Sequence, residues 1–338
     1  MNNESTIPEP VFVVGMNGSG TTMLLDNLGR HPLLYAFPKE TRFIPYLIVN
    51  QDRFGDLERD ENFKRLWQEV LGYPVFEIVN GYRKVPLPAD WRNYPRSLSA
   101  VLDGVFRYFS VREGKQRWCE KTPQHVQNMQ QLAELFPLAR FIHVVRDGRD
   151  AAASFSRRWH RTPELTMFRW KKLVGEGHRQ GRLLGSGCYM EVRYEELTTS
   201  PEHWLQEVCH FLGIPFDVAV LQSTQPYLNG APRRRDATHV GTLKPNSGNW
   251  KKYFTARKLR RLDNIAGSTL AGFGYECSRP EADFDPPAWK LRFWSVRDNL
   301  VQFLREVGLK LGGKIKRPWR VILSKPFVSR RQRSANRY

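Results

Sequence analysis

Four apolar residues in a row, Val11–Val14, run into the glycine-rich octet GMNGSGTT of residues 15–22, and Met23–Leu28 follows with apolar residues at helical spacing. Strand, loop and helix in that order constrain this chain more than any other feature. Such a connection belongs to sheets whose strands run parallel and whose helices cover them. Glycines in the turn let several backbone N–H groups converge on one spot, where the positive end of the helix dipole already favours negative charge. The alternation returns downstream: 123–136 has the pattern of an amphipathic helix closed by Phe136-Pro137, ARFIHVV at 139–145 that of a buried strand, and 150–159 that of another helix. Helices are expected at 163–184 and 200–212 with a strand at 188–193 between them; Ser200 suits an N-cap with Pro201 after it. Segments 56–71 and 98–111 read as helices away from the sheet, and a further helix begins near Thr255.

At 338 residues the chain has room for one large α/β domain with a cleft as well as a core. A hydrophobic fraction of 41% and ten tryptophans exclude a disordered chain. The net charge of +19 calls for an anionic partner: a phosphorylated nucleotide, a membrane surface, nucleic acid or an acidic polymer. Cys119, Cys188, Cys209 and Cys277 are scattered without metal-ligand spacing, so we expect reduced thiols and no metal site. The start MNNESTIPEP is polar and unlike a secretory signal, and no stretch approaches the roughly 20 apolar residues a span needs. A soluble or peripherally attached cytoplasmic protein is the expectation. The chain divides into an N-terminal tail 1–10, a main domain 11–277 and, past a composition break at 278–287, a basic extension 287–338.

The octet resembles a phosphate loop but departs from the nucleotide-triphosphatase pattern GxxxxGK[ST], since Thr21 stands where the lysine belongs. Without that lysine, and with no acidic strand end to hold magnesium, a nucleotide with one phosphate at this end fits better than ATP. A tight strand-to-helix turn without ligand remains open on the glycines alone. The second signal is the strand ARFIHVV running into RDGRDAAAS, which puts Arg146 at a strand end and Ser154 in the following helix. Ligands of open α/β sheets gather at strand carboxyl ends, where an arginine can grip a phosphate with two parallel hydrogen bonds.

These two motifs, with EKTP (120–123), VRYEEL (192–197) and KPNSGNWKKY (244–253), resemble those of the PAPS-dependent sulfotransferase family over about residues 10–275. The resemblance implies an α/β, P-loop-like three-layer fold, a central parallel sheet flanked by helices, to which the basic C-terminal helical extension is added. It implies that Gly18, Ser19, Gly20, Thr21 and Thr22 hold the 5′-phosphosulfate of PAPS, that Arg146 and Ser154 hold the 3′-phosphate, that Tyr194 lies near the adenine, and that Lys244, Ser247 and Trp250 come from a loop closing over the nucleotide. The product would be PAP, adenosine 3′,5′-bisphosphate, and no metal is required. Each position has a plainer reading: Arg149 and Asp147 as a pair at a helix start, Tyr194 as a strand aromatic, Trp250 as core.

Segment KETR at 39–42 is similar to one beside the donor sulfate in tyrosylprotein sulfotransferases. On that resemblance Glu40 is the candidate base for an acceptor hydroxyl and Arg42 its charge-stabilising partner; a surface Glu–Arg pair is the plain alternative, and His125 the alternative base. Sulfuryl transfer leaves charge on the bridging oxygen, so cations are needed there. Where the family usually has arginine or lysine before SGTT this chain has Gly18, so Lys121, Arg42 or Lys39 must supply the cation, and Lys121 is preferred because EKTP precedes a helix aimed at the same cleft. The acceptor is left open among a protein tyrosine, a glycan and a lipid. A P-loop kinase or NTPase, and a non-catalytic nucleotide- or membrane-binding relative, are the other readings.

Residues 287–338 hold fourteen Lys/Arg against Asp298 and Glu306, and Trp289, Phe293, Trp294, Leu300, Phe303, Leu304, Val307, Leu311 and Trp319 interleave with them. A basic amphipathic helix with tryptophan fits an anchor on an anionic membrane surface, here the inner membrane face. The other reading is a helix packed on the main domain by its apolar face, with a loose basic end at 330–338. Nucleic acid is not expected, since no binding module is visible.

Overall fold

The computed structural model describes residues 9–222 and 245–311. Strands β1 (Val11–Gly15), β2 (Leu34–Ala36), β3 (Arg117–Lys121), β4 (Arg140–Val145) and β5 (Tyr189–Arg193) form one parallel sheet in the order β2-β3-β1-β4-β5. The helices before β5 are α1 (Thr21–Leu28), α2 (Ile44–Val49), α3 (Asp60–Leu71), α4 (Pro74–Val79), α5 (Leu98–Arg112), α6 (Met129–Leu135), α7 (Gly148–Trp159) and α8 (Pro163–Leu184). After it come α9 (Tyr194–Thr199), α10 (Pro201–Leu212), α11 (Trp250–Tyr253), α12 (Ala256–Gly272) and α13 (Ala288–Leu311).

Every residue of β1 is buried, which is why it reads as an unbroken apolar run. Phe12 and Val14 face the layer built on α3, α5 and α6, through Phe63, Trp67, Phe106 and Phe136. Val11 and Val13 face α1 and α10, through Leu24, Leu28, Leu205 and Val208. The three expected layers follow from that alternation. Val13 lies level with Lys121 of β3 and Ile142 of β4, so the carboxyl ends of the three central strands open onto one cleft. From β1 the chain leaves toward β2, and from β3 it crosses to β4 on the other side of β1, making this the topological switch point of the sheet.

Strand β3 was not legible, because RWCEK carries charge at three of its five positions. Its Glu120 is nonetheless fully buried, with Thr122 donating to it at 2.9 Å and His125 Nε2 lying 3.2 Å away. The single helix expected at 123–136 is broken into a 3-10 turn, Pro123–Gln127, and α6, with Asn128 outside helical geometry at φ −131° and ψ 20°. Gln180 of α8 satisfies the break by donating to the Gln127 carbonyl at 2.9 Å and accepting from the Gln130 amide at 3.2 Å. Ser200 precedes α10 and Pro201 opens it, but Ser200 makes no capping hydrogen bond. Thr255 does cap α12, accepting from the Lys258 amide. The 278–287 stretch lies along α12, where the Ser268 amide donates to the Ala282 carbonyl and the Phe284 amide to the Asn264 carbonyl.

Helix α13 lies against the end of α7 and the start of α8 through polar contacts and the half-buried Leu291, Trp294 and Val301, while other apolar side chains point away. Its side chains at Trp289, Phe293 and Leu300 stand exposed. Trp319 and the basic end at 330–338 lie outside the described residues, as do residues 1–8. Among the described residues no helix is long and apolar enough to cross a membrane.

On β5, Glu191 accepts from the Tyr189 hydroxyl at 2.5 Å and lies 2.9 Å from His178 and 3.6 Å from the buried His143. Burial works to raise its pKa, but the nearby His143 and the hydrogen bonds with Tyr189 and His178 carry it down from 4.5 to about 2. A carboxylate whose folded value lies below the unfolded one stabilises fully above the unfolded value and loses that contribution as pH falls toward the folded one. Glu191→Gln is therefore expected to cost roughly 2 kcal/mol at pH 7 and progressively less between pH about 4.5 and 2, measured by urea unfolding across that range. A loss independent of pH would assign the effect to packing.

Candidate active site

The loop after β1 turns twice into the left-handed region, with φ +88° at Gly18 and +100° at Gly20, before α1 begins at Thr21. A side chain at either position meets an aromatic wall: a Cβ at Gly20 would sit 2.5 Å from the Tyr194 ring, and one at Gly18 3.2 Å from Phe155. Gly20→Ala is expected to destabilise the chain by roughly 2 kcal/mol or more, combining left-handed strain with displacement of Tyr194. A thermal melt checks it, and an unchanged midpoint would mean the loop rearranges at no cost. Ser19 is buried with its hydroxyl turned onto the Met16 carbonyl, Thr21 is buried, and Thr22 is half-buried. No side chain caps α1 and no acid stands in its first turn, so its N-terminal amides keep their affinity for an anion.

Arg146 follows β4 and is only 8% exposed. Its guanidinium lies 4.4 Å over the Tyr194 ring, donates to the Gly18 carbonyl at 3.0 Å and to the Asn246 carbonyl, and thus ties the glycine-rich loop to the 245–250 loop. Nε of Arg146 is buried with no hydrogen-bond partner among the described residues. An orphaned, charged donor inside a cleft fits a site shaped for an anion. Around it the turn is braced. Asp147 accepts from the Arg149 amide at 2.8 Å and from its guanidinium at 2.8 and 3.0 Å. Asp150 accepts from the amides of Gly248 at 2.7 Å and Trp250 at 3.1 Å, latching the second loop to α7. Burial, foremost, raises the Asp150 pKa. Glu195, raised chiefly by burial too, accepts from the Asp147 amide at 3.0 Å and the Tyr275 hydroxyl at 2.8 Å. Ser154 is four residues beyond Asp150, on the helix face that carries the latch.

Across the cleft, Glu40 sits half-buried between Lys121 at the end of β3, 2.9 Å away, and Arg42, whose Nε donates to it at 2.8 Å. Burial works to raise its pKa, yet Lys121 and Arg42 outweigh burial and hold it below the ordinary carboxylate value. Behind this segment the Thr41 amide donates to Thr122 at 2.7 Å, and Thr41 lies 3.2 Å from His125. Among the described residues no group of three or more His, Cys, Asp or Glu is placed to hold a metal ion.

A model of the sulfotransferase family matches residues 10–218. The chain belongs to the sulfotransferase family. It is similar to a protein-tyrosine sulfotransferase of Drosophila melanogaster, 27% identical over 305 residues covering 86% of this chain and 55% of that protein. It is also similar to protein-tyrosine sulfotransferase A of Caenorhabditis elegans, 28% identical over 225 residues, 64% of this chain and 52% of the relative. The chain thus spans about half the length of these curated relatives. In fold it resembles a sulfotransferase domain from the olefin synthase of Synechococcus PCC 7002, with a TM-score of 0.55 and 23% identity over 82% of this chain and 98% of that domain.

Within this sulfotransferase scaffold, the motif residues 18–22, Arg146 and Ser154 line the carboxyl ends of β1 and β4, and Glu40, Arg42 and Lys121 form one cluster. Arg149 is the structural partner of Asp147 that the plainer reading expects, and Trp250 stacks 4.0 Å from its guanidinium. Tyr194 is not a strand aromatic: it opens α9 and lies under Arg146. Ser247 is exposed on its loop, and Lys244 lies outside the described residues. His125 is 1% exposed, sealed behind Thr41 beside Glu120, where no acceptor hydroxyl can reach it. The latch through Asp150 and the brace through Glu195 were not read from the sequence; the second aspartate of RDGRD, one turn into a helix, was the available sign of the first.

Proposed function

We propose that this chain binds PAPS and transfers its sulfuryl group to an acceptor hydroxyl. The observation that carries the reading is the orphaned Arg146 Nε, buried beside a loop whose amides are open to a second anion, with Glu40 and Lys121 across the cleft. The residues fit such a donor. Arg146 and Ser154 would take the 3′-phosphate, the amides of residues 20–22 the 5′-phosphosulfate, and Tyr194 the base. Backbone amides suffice at residue 18, where a side chain would press on Phe155.

As the acceptor oxygen forms its bond to sulfur, its proton passes to a Glu40 carboxylate oxygen. The bridging S–O bond breaks and its electron pair stays on the 5′-phosphate oxygen, where Lys121 and the N-terminus of α1 offset the charge. Held by Lys121 and Arg42, Glu40 is a weak base; a Lys121 that turns toward the leaving oxygen frees it as charge develops. The position of Lys121 offsets the missing loop cation at Gly18 and favours a catalytic chain over a merely binding one. Relatives named as protein-tyrosine sulfotransferases favour a tyrosine hydroxyl as acceptor, ahead of a glycan or lipid hydroxyl. Calorimetry without metal tests the donor: PAP is expected to bind more than about tenfold tighter than AMP, and ATP weakly. Equal affinity for PAP and AMP would remove the 3′-phosphate site, and magnesium-dependent ATP turnover would favour a P-loop kinase or NTPase.

A further inference from the structure

We infer that α13 and the groove beneath it form a docking face for an anionic lipid bilayer. The inference is independent of the donor reading. One side of α13 is nailed to the body of the protein. Asp298, 1% exposed, accepts from the Thr162 amide at 3.0 Å and its hydroxyl at 2.7 Å; Gln302 donates to the Trp159 carbonyl and Arg305 to the Arg158 carbonyl at 3.2 Å. Positions 298, 302 and 305 share a helix face. Turned away on the opposite face are Trp289, Val296, Leu300, Phe303 and Leu304, with Phe293 at the edge of the groove, each 54–69% exposed. A contiguous apolar stripe of this size marks an interaction surface. Its orientation follows from the polar anchors, so the stripe is presented by design of the contact, not left over from poor packing.

Charge selects the occupant. Between α13, α12 and the start of α8 lies a groove of about 820 Å³ lined by seven Lys/Arg, Arg257, Arg260, Arg261 and Arg279 among them. Its one acid, Glu164, is already paired with Lys258 at 2.6 Å. Between residues 288 and 305 the one acid is the buried Asp298. A second copy of the chain laid stripe to stripe would bring these cations together. Residues 312–338, with nine Lys/Arg and no acid, carry the same sign as the groove and offer it no charge complement. An anionic bilayer meets both demands: its acyl boundary takes the stripe and its headgroup phosphates take the groove.

The test is flotation of the full chain with vesicles of phosphatidylcholine alone or containing about a third phosphatidylglycerol. Binding is expected with the anionic vesicles and not with the neutral ones. Leu300→Asp with Phe303→Asp, and separately Arg257→Glu with Arg261→Glu, are each expected to weaken it more than about tenfold. These side chains are at the surface, and a thermal melt checks that both variants fold; Val296→Asp is the milder substitute for the first. Anionic flotation unchanged by the apolar substitutions would overturn the inference, because binding would then belong to the basic residues of 312–338. Equal binding to neutral vesicles, or a dimer in sedimentation together with no flotation, would overturn it as well.

Discussion

Arg146→Ala is expected to weaken PAP binding about a hundredfold while changing AMP binding only a few-fold. Two charge-assisted hydrogen bonds at roughly 1.5 kcal/mol each amount to about 3 kcal/mol, which is about two decades in Kd. AMP lacks the phosphate that these bonds address, so calorimetry with both nucleotides separates the grip from general damage. The control matters, because Arg146 also braces the Gly18 and Asn246 carbonyls and lies over Tyr194. Equal losses for PAP and AMP would make Arg146 a brace of the two loops and nothing more. Arg146→Lys is expected to recover only part of the affinity, since an ammonium cannot present the planar fork.

Glu40→Gln and Lys121→Ala are each expected to lower kcat by about 10²- to 10⁴-fold with PAP affinity within a few-fold of the native chain. The two differ in their pH behaviour. Lys121 and Arg42 hold the Glu40 pKa below its ordinary value, so the acid limb of kcat/KM should lie below the usual carboxylate range in the native chain. Removing Lys121 removes the largest lowering influence, so in Lys121→Ala that limb moves to higher pH. Arg42 alone then holds it down. A pH–rate profile of single-turnover transfer, with a tyrosine-containing peptide as first acceptor, reads both effects. A limb that stays put in Lys121→Ala, or full turnover in Glu40→Gln, would remove Glu40 as the base.

Much of the site was legible because it depends on residue types that few other arrangements need. Glycine at 18 and 20 is required by left-handed backbone pressed against Phe155 and Tyr194. Arg146 at the end of an apolar run declares itself as a charge at a strand terminus. The unread parts depend on contacts distant in sequence. Asp150 latches amides 98 and 100 residues away, and Glu120 is tolerated inside β3 because Thr122 and His125 surround it. Local pattern says nothing of such partners, so β3 looked polar and His125 looked like a base.

By itself the sequence determined the layered parallel sheet, the tight glycine turn after β1 and the sign of the charge, since burial on both faces demands apolar strands and a tight loop demands glycine. Only the tertiary structure decided which ionisable groups share the cleft. It put Lys121 against Glu40 across 81 positions and sealed His125 behind Thr41. It also rotated α13 about Asp298 so that the apolar stripe faces outward. Electrostatics and exposure depend on distances between side chains, and those distances exist only once the chain has folded.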